Sequence, residues 1–117
     1  VSNTFDTHIF ISKGWQMVDL SETRVKIDEI DRKIISLFNE RMKLADDVAN
    51  YKIATGKPVY DAVREKEKLL VIEGFGEDDF SKTALRELFT QIMSISRKYQ
   101  YRKIADSSKP SSSVTSY

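Results

Sequence analysis

Residues 19–55 read DLSETRVKIDEIDRKIISLFNERMKLADDVANYKIAT, a run without proline or glycine. Positions 27, 30, 34, 37, 41, 44, 48 and 51 follow one another in steps of three and four, the spacing that lines up side chains on one face of a helix. Seven of them are apolar: Ile27, Ile30, Ile34, Leu37, Leu44, Val48 and Tyr51. The eighth is Arg41, and Lys52 follows eleven residues later, almost directly above it at about 100° per residue. Two cations are therefore aimed where a helix normally buries a leucine.

The ends of this helix are marked in the sequence. Asp19 with Glu22 three residues on resembles a capping box, in which each side chain satisfies a free backbone N–H. At Thr55-Gly56-Lys57-Pro58 the glycine suits a left-handed cap and the proline cannot continue the helix. About 35 residues at about 1.5 Å each make a rod of roughly 50 Å, against a radius of gyration of about 13–14 Å for a globule of this mass. A rod that overhangs its own domain and is apolar along one stripe needs a partner. The expectation is an all-α, three-helix protomer with one long N-terminal helix, paired as an intertwined homodimer.

A second helix is predicted from Asp61 to Ile72, capped by Asp61, stopped at Gly74-Phe75-Gly76, and carrying Glu65, Leu69 and Ile72 on one face. A third is predicted from Asp79 or Ser81 to about Arg102. Its apolar positions are Leu85, Leu88, Phe89, Ile92, Met93 and Tyr99, and Ser96 and Gln100 extend the line from Phe89 and Met93.

Composition bounds what these helices can do. The 117 residues, 40% hydrophobic and 32% charged, suit one small soluble domain with a single core. Nineteen basic residues against eighteen acidic ones leave a formal charge of +1, which makes no case for nucleic acid binding. Without cysteine there is no disulfide framework, thiolate nucleophile or thiolate metal site, which fits a reducing compartment, and the cytoplasm is expected. Ile9-Phe10-Ile11 is too short for a membrane span, and no basic segment precedes it as in a secretory signal. Residues 1–18 read as an N-terminal extension without folded structure, 19–103 as the domain, and the serine-rich 104–117 as a flexible tail or linker. His8 falls in the extension and receives no catalytic role.

Singly, the polar residues have ordinary explanations. Arg41 could set helix register or snorkel to the surface, Lys52 could answer the helix dipole, Arg64-Glu65 could be a solvated pair, and Ser96 and Gln100 could be helix surface. Their convergence is harder to explain, because each helix sets a charged or polar residue in line with its apolar face. Buried cations without partners are strongly unfavourable, and Glu65 alone cannot balance Arg41, Lys52 and Arg64. A small dianionic ligand would.

Arg24, Ile27-Asp28, Ile30-Asp31, Leu37-Phe38-Asn39-Glu40-Arg41, Tyr51-Lys52, Pro58-Val59-Tyr60-Asp61 and Arg64-Glu65 together resemble the all-helical (AroQ-type) chorismate mutase family, from about Leu20 to Gln100. The resemblance implies three-helix protomers in an intertwined dimer and the Claisen rearrangement of chorismate to prephenate, a step toward phenylalanine and tyrosine. Such a pericyclic reaction requires no metal, cofactor, nucleophile or general base. The site has to hold the substrate in a reactive chair and stabilise negative charge developing on its ether oxygen.

Carried over by position, the resemblance makes Arg41 and Arg24 the carboxylate clamps, with Arg64 completing the cationic lining. Lys52 and Gln100 would donate to the ether oxygen, Glu65 and the backbone near Asp61 would hold the ring hydroxyl, and Ser96 would contact the ring carboxylate. Arg24 lies seventeen residues before Arg41, about 25 Å along a straight helix and roughly 100° around it, so one small ligand cannot touch both. Arg24 is expected from the partner's helix. An isochorismate pyruvate lyase of the same fold and a non-catalytic helical dimerisation or regulatory module remain as alternatives. The serine-rich end would suit fusion to a prephenate dehydratase or another enzyme of the pathway.

Overall fold

A computed structural model describes residues 9–11 and 17–108. In chain order the elements are β1 (Ile9–Ile11), β2 (Met17–Asp19), α1 (Leu20–Thr55), α2 (Ala62–Glu73) and α3 (Asp79–Ser107). The chain divides into two compact units between Glu40 and Arg41, and α1 runs through that boundary.

In the first unit β1 and β2 pair antiparallel with Phe10 opposite Val18. This departs from the expectation that residues 1–18 carry no folded structure. The reason is local: Ile9-Phe10-Ile11 and Met17-Val18 are dominated by β-branched and large apolar residues that favour extended backbone. The rest of that extension, His8 included, lies outside the described residues. At the start of α1 the Asp19 carboxylate accepts from the Ser21 N–H at 2.9 Å, and the Thr23 hydroxyl donates to the Asp19 carbonyl at 3.0 Å. The cap is thus Asp19's, with Glu22 adding its charge to the first turn. The apolar face of α1 here, Ile27, Ile30, Ile34 and Leu37, is between 49% and 64% exposed.

The second unit contains the C-terminal part of α1 together with α2 and α3. Gly56 ends α1 with φ at 71°, its N–H donating to the Lys52 carbonyl at 2.8 Å. Asp61 caps α2 through the Arg64 N–H at 3.0 Å, and Asp78 caps α3 through the Ser81 N–H at 2.7 Å. Between these helices the turn admits no side chain at Gly76, where a Cβ would lie 2.6 Å from the Lys82 backbone nitrogen. α2 packs on α3, with Glu73 and Arg86 paired at 3.1 Å. α1 is tied to α3 by Asp46, whose carboxylate accepts from the Lys103 ammonium and the Tyr99 hydroxyl. Those two hydrogen bonds, Lys103's first, hold the Asp46 carboxyl below the usual aspartate range.

The apolar core is small: among the described residues only Ala45, Ala49, Val59 and Met93 are buried hydrophobics. α3 continues five residues past the expected end at Arg102. Lys103 is held by Asp46 and Ile104 is half-buried, so residues 104–107 are helix rather than the start of a tail. The Ser107 and Ser108 hydroxyls then donate to the carbonyls of Ile104 and Ala105. Residues 109–117 lie outside the described residues. No described helix is long and apolar enough to cross a membrane.

Candidate active site

The second unit encloses a cavity of about 300 Å³, at the small end of the range for pockets that take organic ligands. Helical spacing on each wall delivers its lining. α1 contributes Arg41, Ala45, Val48 and Lys52; the following loop contributes Val59 and Asp61; α2 contributes Arg64, Glu65 and Lys68; α3 contributes Met93, Ser96, Arg97 and Gln100. Seven residues singled out from sequence, Arg41, Lys52, Asp61, Arg64, Glu65, Ser96 and Gln100, therefore line one cavity. Arg24 belongs to the first unit and is not part of the lining.

The polar atoms are held in definite ways. The half-buried Lys52 donates from Nζ to the carbonyl of buried Val59 at 2.6 Å, which leaves the ammonium further N–H donors. Glu65 is ion-paired with Arg97, and the Arg97 guanidinium also lies over the Tyr60 ring, 4.9 Å from its centroid. Gln100 is only 6% exposed; its Nε2 donates to Ser96 Oγ at 3.1 Å while its Oε1 is buried without a partner among the described residues. Turning the amide over lets Oε1 accept from the Ser96 hydroxyl and frees Nε2 as a donor.

The electrostatics are unbalanced. Five cations, Arg41, Lys52, Arg64, Lys68 and Arg97, face two acids, Asp61 and Glu65, so the lining carries a formal +3. One oxygen of the Asp61 carboxylate accepts from the Arg64 backbone N–H, and one of Glu65 from Arg97. Arg41, Arg64 and Lys68 form no ion pair among the described residues. Burial first, then repulsion from Arg41 and Arg64, holds the Lys68 ammonium below the usual lysine range. Such a cavity favours an anion small enough to fit it.

Two charged lining residues escaped the reading of the sequence, Lys68 and Arg97. Spacing was the available signal, since Lys68 is four residues from Arg64 and Arg97 four from Met93. Lys68 was hidden in the charged run Arg64-Glu65-Lys66-Glu67-Lys68, and Arg97 in Arg97-Lys98, where side-chain type does not distinguish inward from outward. Among the described residues no group of histidine, aspartate and glutamate side chains gathers as a metal-ligand set.

The sequence pattern of the family described as chorismate mutase type II matches residues 23–101. The chorismate mutase of Methanocaldococcus jannaschii is 55% identical over 47 residues, 40% of this chain and 48% of that protein. The bifunctional chorismate mutase/prephenate dehydratase of Aquifex aeolicus is 36% identical over 83 residues, covering 67% of this chain and 23% of that protein. The matches thus span about half or less of the length of these relatives. Among solved structures, chorismate mutase form II from Thermus thermophilus superposes with a TM-score of 0.67 at 28% identity, covering 71% of this chain and 94% of that one.

Proposed function

The chain belongs to the chorismate mutase type II family, and on that premise we propose that it rearranges chorismate to prephenate in a site completed by a second copy of itself. The observation that carries the proposal is the cavity, which couples a formal +3 lining to a volume of about 300 Å³. Chorismate is a small dianion, and its two carboxylates would supply the counter-charge that Arg41 and Arg64 lack among the described residues. Arginine suits these positions because its planar fork binds a carboxylate through two parallel hydrogen bonds.

In the rearrangement the ether C–O bond breaks as a new C–C bond forms, and negative charge grows on the departing oxygen. Lys52, anchored on the Val59 carbonyl, and Gln100, with its amide turned, offer N–H donors from facing walls of the cavity. Donors fixed in advance lower the barrier because they need no reorganisation as the charge appears. Glu65, oriented by Arg97, accepts from the ring hydroxyl. Ser96 assists at the ring carboxylate. The walls supply the remaining requirement, confinement of the flexible enolpyruvyl group over the ring.

Two observations support the second copy. The stripe of Ile27, Ile30, Ile34 and Leu37 is too exposed for a chain that stays alone in water. Arg24, the other carboxylate clamp that the resemblance implies, precedes Arg41 by seventeen residues, too far along a straight helix for one small ligand to touch both. The test is complementation. Arg24→Ala and Arg41→Ala chains, each inactive alone, are expected to regain prephenate formation when co-folded, because one site of the mixed dimer is then intact. No recovery from a dimer of proven mixed composition would refute the shared site, and a wild-type chain that leaves chorismate unchanged would refute the activity.

A further inference from the structure

We infer that Lys68 is a further substrate-binding residue, a cation on the α2 wall that pairs with a carboxylate of the ligand alongside Arg41 and Arg64. The inference rests on the reading that this cavity takes a small dicarboxylate. Lys68 follows Arg64 by four residues and Glu65 by three, which continues the inward face of α2 one turn beyond the pair.

The charged groups that share the lining with it are Arg41 and Lys52 on α1, Arg97 on α3, and, at the start of its own helix, the N-cap Asp61 with Arg64 and Glu65. Neither acid is ion-paired with it: Asp61 accepts from the Arg64 N–H as the cap of α2, and Glu65 pairs with Arg97. Lys68 is thus a half-buried cation repelled by two arginines and without an ion pair among the described residues. Lys68 lies in the cavity lining, where an incoming anion would supply the counter-charge that it lacks among the described residues.

The placement has a consequence for proton uptake. Burial and the two arginines depress the affinity of Lys68 for its proton while the cavity is empty, and a bound dianion reverses that effect. Binding then draws a proton onto the chain as pH approaches the lysine range. Affinity is full below the depressed pKa and falls as pH rises through the interval between the free and bound values.

The experiment is calorimetric titration of the wild type, Lys68→Met and Lys68→Arg with a bicyclic dicarboxylate analogue of the transition state, from neutral to alkaline pH. Two buffers of different ionisation enthalpy report proton uptake, and thermal melts report folding. Lys68→Met is expected to bind about tenfold more weakly at neutral pH, with its melting temperature at or above that of the wild type. Lys68→Arg is expected to retain affinity, and both variants to lose the alkaline proton uptake. Unchanged affinity and uptake in Lys68→Met would overturn the role of Lys68 and leave the proposed activity standing. Weakened binding in both variants with uptake unchanged would make Lys68 a packing residue and overturn it equally. A wild type that neither binds the analogue nor converts chorismate would take down the activity and this inference together.

Discussion

Replacing Lys52 by alanine separates the structural bond of this side chain from the catalytic role proposed for it. In the resting chain its ammonium is bonded to the Val59 carbonyl at 2.6 Å in a half-buried setting. Loss of that bond costs about 1 kcal/mol of stability, which lowers the melting temperature of a domain this size by about 4–8 °C. In the proposed reaction the same ammonium would donate to the oxygen on which charge develops, and removal of one preorganised donor costs about 2.7–4 kcal/mol of transition-state stabilisation, a fall of about 10²–10³ in kcat. The assay is chorismate depletion with prephenate formation at saturating substrate, at a temperature well below both melting transitions. A kcat within about threefold of the wild type, together with a lowered melting temperature, would refute the catalytic role and leave Lys52 as a loop anchor.

Gln100→Glu tests the second donor. A carboxyl group there has to be protonated before it can donate, so activity is expected to be low at neutral pH and to rise as pH falls; a pH profile as flat as that of the parent would rule out its contact with the ether oxygen. Gly56→Ala places a side chain at φ 71° with nothing within 4 Å of its Cβ. The penalty is therefore backbone strain alone, roughly 1–2 kcal/mol, and an unchanged melting temperature would show that the end of α1 relaxes.

The long helix was legible because Asp19, Gly56 and Pro58 bracket a stripe with no internal breaker. Asp61 announced the second helix for the same reason, and the structure uses its carboxylate as the cap. Family resemblance and physical reading agreed on Arg41 and Lys52, since cations at apolar positions stand out against helical periodicity. Tertiary context was less visible. The extension of α3 to Ser107 depends on Asp46, more than fifty residues away in sequence, holding Lys103. The pairing of β1 with β2 joins two runs of three residues each, too short for periodicity to mark as strands. Arg97 was missed because its role lies in contacts with Glu65 and Tyr60 on other elements, and a residue's own neighbours in sequence do not report such contacts.

The bond from Lys52 to Val59 has a further meaning in terms of entropy. A free lysine side chain samples many rotamers on its four-carbon stem, and stilling it opposes binding by up to about 2 kcal/mol. Here the tether to a backbone oxygen stills the stem when the chain folds. A ligand then meets an ammonium whose ordering is already complete, and about 2 kcal/mol corresponds to roughly thirtyfold in affinity. The loop that carries Val59 is thus the device that turns a mobile surface cation into a fixed point of the cavity wall.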